Sequence, residues 1–123
     1  MKLHLESASA HNTFTGYGER YVTVNGARIE TSVVVLPDRI LADWPPSCFA
    51  ALAPEHFAML ADLGRDIVLL GTGGKLRFPS PEIIAPLVRA GIGVEVMDLQ
   101  AACRTYNILV AEGRKVAAAL LIE

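Results

Sequence analysis

The 123-residue chain is 52% apolar and 20% charged, which excludes a disordered segment, a collagen-like repeat and a disulfide scaffold. It has the length of one ordinary domain, enough to bury about 65% of the surface its unfolded form exposes. Eleven Lys and Arg against thirteen Asp and Glu give a formal charge of -2, so no basic excess exists for general binding to nucleic-acid phosphates.

Residues 1–18 are polar and contain glycine. They read as a loosely structured lead with a short strand at residues 3–5. Glu6, Ser7, Ser9, His11 and Asn12 interrupt any apolar run there. Neither a secretory signal nor an Arg-rich transit segment is therefore expected, and the expected location is the cytoplasm. The first firm element is a hairpin. Residues 20–24 and 27–36 flank Asn25-Gly26, the pair that supplies the two positive φ angles of a type I′ turn. That register sets Val24 opposite Ala27 and Val22 opposite Ile29. Ile29, Val33 and Val35 then share a buried face, and Arg28, Glu30 and Ser32 a wetter one. Pro37 stops the strand and Pro37-Asp38 turns the chain. A short extended piece at residues 40–43 leads to Trp44-Pro45-Pro46, and Trp44 fits either the edge of a core or an exposed anchor.

From here the hydrophobic period changes. A helix is expected over residues 54–63, with Pro54 in its first turn and Gly64 ending it. Ile67-Val68-Leu69-Leu70 reads as a strand buried on both faces, closed by Gly71-Thr72-Gly73-Gly74. Ser80-Pro81 is an N-cap followed by proline, opening a helix to Ala90. Residues 94–97 form a second short buried strand. Asp98 caps a third helix, Leu99–Ala111, whose Leu99, Ala102, Cys103, Tyr106, Leu109 and Val110 make one apolar face. Gly113 ends it, and residues 115–122 are the last strand. The second half is thus β-α-β-α-β, which means a helix-covered, partly parallel sheet. The longest strongly apolar stretch, residues 116–122, is far short of the roughly 20 residues a membrane helix needs, so no membrane insertion is expected.

The chemical motifs give little. Gly71-Thr72-Gly73-Gly74-Lys75 fails the phosphate-loop spacing, because Leu69 and Leu76 stand where glycine and a hydroxyl residue are required. It also fails the dinucleotide spacing at Leu76. What remains is a glycine turn at the end of a buried strand, near Lys75 and Arg77, able to offer backbone N–H groups to an anion. Cys48 and Cys103 belong to no metal-ligand cluster, and Cys103 sits on an apolar helix face where it packs as a small hydrophobe. His4, His11 and His56 lack metal-ligand spacing, so no metal and no cofactor is expected. Arg104 and Asn107 share a flank of the third helix, suited to a partner's carboxylate or to holding the glycine turn.

Four segments carry a family resemblance: Gly16-Tyr17-Gly18 with Tyr21-Val22-Thr23-Val24-Asn25-Gly26; Leu69-Leu70-Gly71-Thr72-Gly73; Arg77-Phe78-Pro79; and residues 91–114, with Gly91-Ile92-Gly93-Val94-Glu95-Val96-Met97-Asp98 and Cys103-Arg104-Thr105-Tyr106-Asn107. From residue 14 to 121 the chain resembles the small family of unknown-function proteins that includes the mitochondrial complex I assembly factor 3. The length and the absence of any visible linker make residues 1–123 one expected domain, and the resemblance implies a three-layer α/β architecture for it, with a mixed central sheet flanked by helices and an N-terminal antiparallel β-hairpin. It implies a non-catalytic assembly helper whose partner is another protein or a membrane-associated complex, placed in the cytoplasm or peripherally at the inner membrane. No catalytic set comes with it. The expected binding residues are Gly71, Thr72, Gly73, Gly74, Lys75, Arg77, Arg104 and Asn107. The alternative expectation is a binder, or an enzyme, of a small anionic metabolite at the Gly71 to Gly74 crevice. A structural homo-oligomer is the third.

Overall fold

The computed structural model describes residues 11–123, so the strand expected at residues 3–5 lies outside the described residues. The Asn-Gly hairpin forms as its residues dictate. Asn25 and Gly26 take φ of 52° and 85°, and Val24 pairs with Ala27 and Val22 with Ile29. Strands β1 (Phe14–Gly18), β2 (Tyr21–Val24) and β3 (Ala27–Ile29) make an antiparallel sheet in that order. The end of the expected loose lead is therefore a strand. Its glycines hide the alternation, and they are there for packing: a side chain at Gly18 would run into the Tyr21 ring.

The long strand expected over residues 27–36 is two strands in two sheets. Strand β4 (Val33–Leu36) leaves β3 behind and joins a five-stranded sheet of order β5-β4-β8-β6-β7. The alternation of Arg28-Ile29-Glu30 suits a sheet with one wet face. Val33-Val34-Val35-Leu36 is apolar throughout, and all four are buried, Val33 and Val35 against one core and Val34 and Leu36 against the other. Pro37-Asp38 then turns the chain into the short edge strand β5 (Arg39–Leu41).

After a 3-10 turn at Phe49–Ala51, the remaining elements among the described residues are α1 (Pro54–Ala61), β6 (Ile67–Gly71), α2 (Pro81–Arg89), β7 (Gly93–Met97), α3 (Leu99–Ala111) and β8 (Val116–Leu120). Strand β6 runs parallel to both its neighbours, β7 on one side and β8 on the other. The two crossovers therefore travel in opposite directions, and right-handed connections put α2 and α3 on opposite faces. One face packs α1 and α2, with Phe57, Leu60 and Leu87 on Val68 and Leu70. The other packs α3 and the small sheet, with Tyr106, Phe14 and Val22 around Leu69. These are the three layers.

Local details separate what capping and burial achieve. Asp98 caps α3, its Oδ1 accepting from the Ala101 N–H at 2.8 Å. Ser80 stands at the start of α2, but its side chain makes no cap bond. Trp44 is buried: its Nε1–H donates to the His56 carbonyl at 3.3 Å and its ring meets Phe57 edge-on. It fills the core and is not an exposed anchor. Strand β7 departs from the buried strand expected at residues 94–97. It is an edge strand, with Glu95 exposed and Val94, Val96 and Met97 half-buried, because nothing pairs beyond it among the described residues.

Candidate functional site

Strand β6 ends on Gly71, directly beneath α3. A Cβ there would lie 2.7 Å from Leu120 Cδ2 and 3.2 Å from Ala102 Cβ, so glycine lets the helix sit down on the sheet. The residues that follow form a loop closed on itself. Thr72 is fully buried; its hydroxyl donates to the Lys75 carbonyl at 2.6 Å and accepts from the Arg77 N–H at 3.2 Å. Gly73, at φ 84°, turns its carbonyl to the Leu99 N–H at 2.8 Å. The Arg77 guanidinium donates to the Thr72 carbonyl at 2.9 Å, pairs with Glu123 and lies over the Phe49 ring. This bracing fixes the backbone while leaving two large apolar side chains in solvent, Leu76 at 51% exposure and Phe78 at 70%.

Beside the loop is a cleft of about 320 Å³. Its walls are the turn after β1 (Tyr17, Gly18, Glu19), the turn after β6 (Gly73, Gly74) and the start of α3 (Asp98, Leu99, Gln100). It lies beyond the carboxyl ends of β6 and β7, where the chain departs to opposite faces of the sheet, the place where open α/β sheets form binding crevices. The charged groups in its lining are two carboxylates, Glu19 and Asp98.

The eight expected residues do not converge on this cleft. Gly73 and Gly74 line it, while Gly71 and Thr72 lie buried beneath it. Lys75 is exposed and outside the lining, and Arg77 is spent on Thr72 and Glu123. Arg104 is exposed on α3, away from the lining. Asn107 grips the first strand, its Oδ1 accepting from the Phe14 N–H at 2.9 Å and its Nδ2–H donating to the Phe14 carbonyl at 2.8 Å. It holds β1, not the glycine turn. None of the three cations suited to an anion lines the cleft. Tyr17, Glu19 and Gln100 were missed. The Gly16-Tyr17-Gly18 segment was visible in the sequence, but nothing local says that it folds over the end of β6.

Cys103 is buried against the core, and burial pushes its thiol up to about 12, with the Arg104 charge opposing. A buried thiol held in its neutral form packs as a small hydrophobe. Among the described residues no group of His, Cys, Asp and Glu is placed to hold a metal ion, and no helix is long and apolar enough to cross a membrane.

Fold and site together define a mixed α/β protein that shows, among the described residues, two sheets, three α-helices, a cleft and a braced, apolar-tipped loop. The chain belongs to the family described as protein of unknown function (DUF498/DUF598), whose model matches residues 14–121. A crystal structure of a Bordetella parapertussis protein, 42% identical, superposes with a TM-score of 0.87 over 93% of this chain and 98% of that one. Among curated relatives, the bovine "NADH dehydrogenase [ubiquinone] 1 alpha subcomplex assembly factor 3" is 32% identical over 107 residues, covering 85% of this chain. The chain spans 58% of that relative's length. A Francisella tularensis protein named "13 kDa major membrane protein" is 35% identical over 71 residues, covering 58% of each chain.

Proposed function

We propose that this chain is a non-catalytic binding module, acting as one domain, that helps assemble a larger protein complex: a respiratory one, met from the cytoplasmic side of the membrane. The observation that carries the reading is the loop after β6. It braces its own backbone with Thr72 and Arg77, yet exposes Leu76 and Phe78. A rigid loop that keeps an aromatic side chain in water has already met the entropic cost of presenting it, which is how interface anchors are built. The name of the bovine relative supports the choice of complex, and the name of the Francisella relative supports a position at a membrane.

The metabolite reading has less behind it. Glu19 and Asp98 give the cleft a negative lining, and a small anion brought there would meet two carboxylates. The test is genetic. In a host deleted for this chain, the amount of assembled NADH dehydrogenase in membranes should fall severalfold and return when the chain is restored. Undiminished assembly would overturn the proposal.

A further inference from the structure

We propose that the outer edge of β7 pairs with an extended segment of a partner protein, one that sets a Lys or Arg against Glu95 between two apolar residues. The inference rests on the assembly reading and names the chemistry of the partner. The first observation is in the backbone. The Gly93 N–H donates to the Asp66 carbonyl at 3.0 Å, and the Met97 carbonyl accepts from the Thr72 N–H at 2.9 Å, both on the β6 side. Backbone groups alternate sides along a strand, so the N–H and carbonyl of Val94 and of Val96 point away from β6. No strand follows there among the described residues. The other edges are blunted. Strands β3 and β5 have three residues each and carry Arg28 and Arg39, and the free side of β1 is met by Asn107. Strand β7 has five residues in unbroken register, with no proline, lysine or arginine.

The second observation is in the flanks. Val94 and Val96 lie half-buried on the α1 and α2 side of the sheet, with Ile83, Ile84 and Ile92. Helix α2 buries Leu87 alone and leaves Val88 61% exposed, so that apolar layer is incomplete. A paired strand extends it with two apolar side chains of its own. Glu95 points to the opposite side and is exposed. No ion pair joins it to Arg89, Arg104 or any other cation among the described residues. Glu95 also decides between a partner and a second copy. Two β7 strands paired antiparallel, Val94 against Val96, use every outward group and bring Glu95 against Glu95. Like charges directly opposite destabilise a strand pair, whereas a cation there stabilises it.

The experiment titrates the full, isotope-labelled chain with three capped peptides of about nine residues. The first has Val-Lys-Val at its centre between threonines, and the second has Val-Glu-Val there. The third is the first peptide N-methylated at those central residues. The Lys peptide should move the amide signals of Val94 and Val96 and slow their hydrogen exchange. It should bind more tightly than the Glu peptide by about threefold or more. Glu95→Lys, a change at an exposed position, should reverse that order. The N-methylated peptide should not bind, because its backbone cannot pair. Equal binding of the N-methylated peptide, equal binding of the Glu peptide to the parent chain, or no response to any peptide would each overturn the inference. So would protection of Val94 and Val96 that grows with chain concentration alone, the sign of a second copy. Failure here with intact NADH dehydrogenase assembly dependence removes the pairing edge and leaves the assembly role. Binding as expected without that dependence does the reverse.

Discussion

In the second half of α3, Tyr106 and Asn107 reach across to the first strand. The Tyr106 hydroxyl donates to the Asn12 carbonyl at 2.9 Å, its ring meets Phe14 edge-on at 5.0 Å, and Asn107 pairs with both backbone groups of Phe14. At the other end of the same helix, Asp98 caps the first turn and stands in the cleft with Glu19, beside a loop whose apolar tip is bare. One end closes a seam between two sheets, and the other leaves a surface open. The difference teaches that a polar side chain on a helix flank is consumed wherever a strand edge lies within reach. Phe14 presents an N–H and a carbonyl on the side of β1 away from β2, and burial obliges them to find partners. Asn107, with one donor and one acceptor at matching spacing, acts as a surrogate strand.

The strongest way to break the comparison is to remove that surrogate. Asn107→Ala leaves both backbone groups of the buried Phe14 without their partners. Each such loss costs about 1–3 kcal/mol, so a loss of about 2–6 kcal/mol is expected, a large share of a small domain's total. Urea denaturation measures it. A loss below about 0.5 kcal/mol would mean that the seam is incidental and that the two ends of α3 are alike.

How much of this was legible in the sequence depends on how far apart the interacting residues lie. The Asn25-Gly26 turn and its register, the strand at Ile67 and the apolar face of α3 rest on local spacing, and all three stand in the structure. The split of the strand at residues 30–32 was legible in principle, because the pattern changes there from alternating to continuous apolar. The seam was not. Asn107 and Phe14 are 93 positions apart, and no local rule relates them. The same limit hid the cleft: Gly73 and Gly74 were readable as a turn, but Glu19, which gives the cleft half its charge, arrives from the far end of the chain. The expected anion site was built from nearby cations, and the fold placed a distant carboxylate there.

A second test sharpens the comparison at the base of the cleft. Gly71 belongs to the core side of the boundary and Gly74 to the open side, where a Cβ would meet nothing within 4 Å. Gly71→Ala must push Leu120 and Ala102 apart in a filled core, at about 1–2 kcal/mol. Gly74→Ala, whose φ is not positive, should change stability by less than about 0.5 kcal/mol. Thermal unfolding of the pair locates the boundary between framework and surface to within three residues of loop.

The smallest expected effect on stability is also the most discriminating. Phe78 is 70% exposed and no hydrogen bond of the loop uses its side chain; the bracing runs through Thr72, Lys75 and Arg77. Phe78→Ser should therefore leave the unfolding free energy within about 0.5 kcal/mol of the parent, because little buried surface is lost. In a host deleted for the chain, the same variant should restore NADH dehydrogenase assembly poorly. A side chain that contributes nothing to the fold and much to the assembled complex is an interface anchor. If Phe78→Ser instead lowers stability by more than about 1 kcal/mol, the aromatic ring is part of the framework, and the open end of α3 is another seam like the one at Asn107.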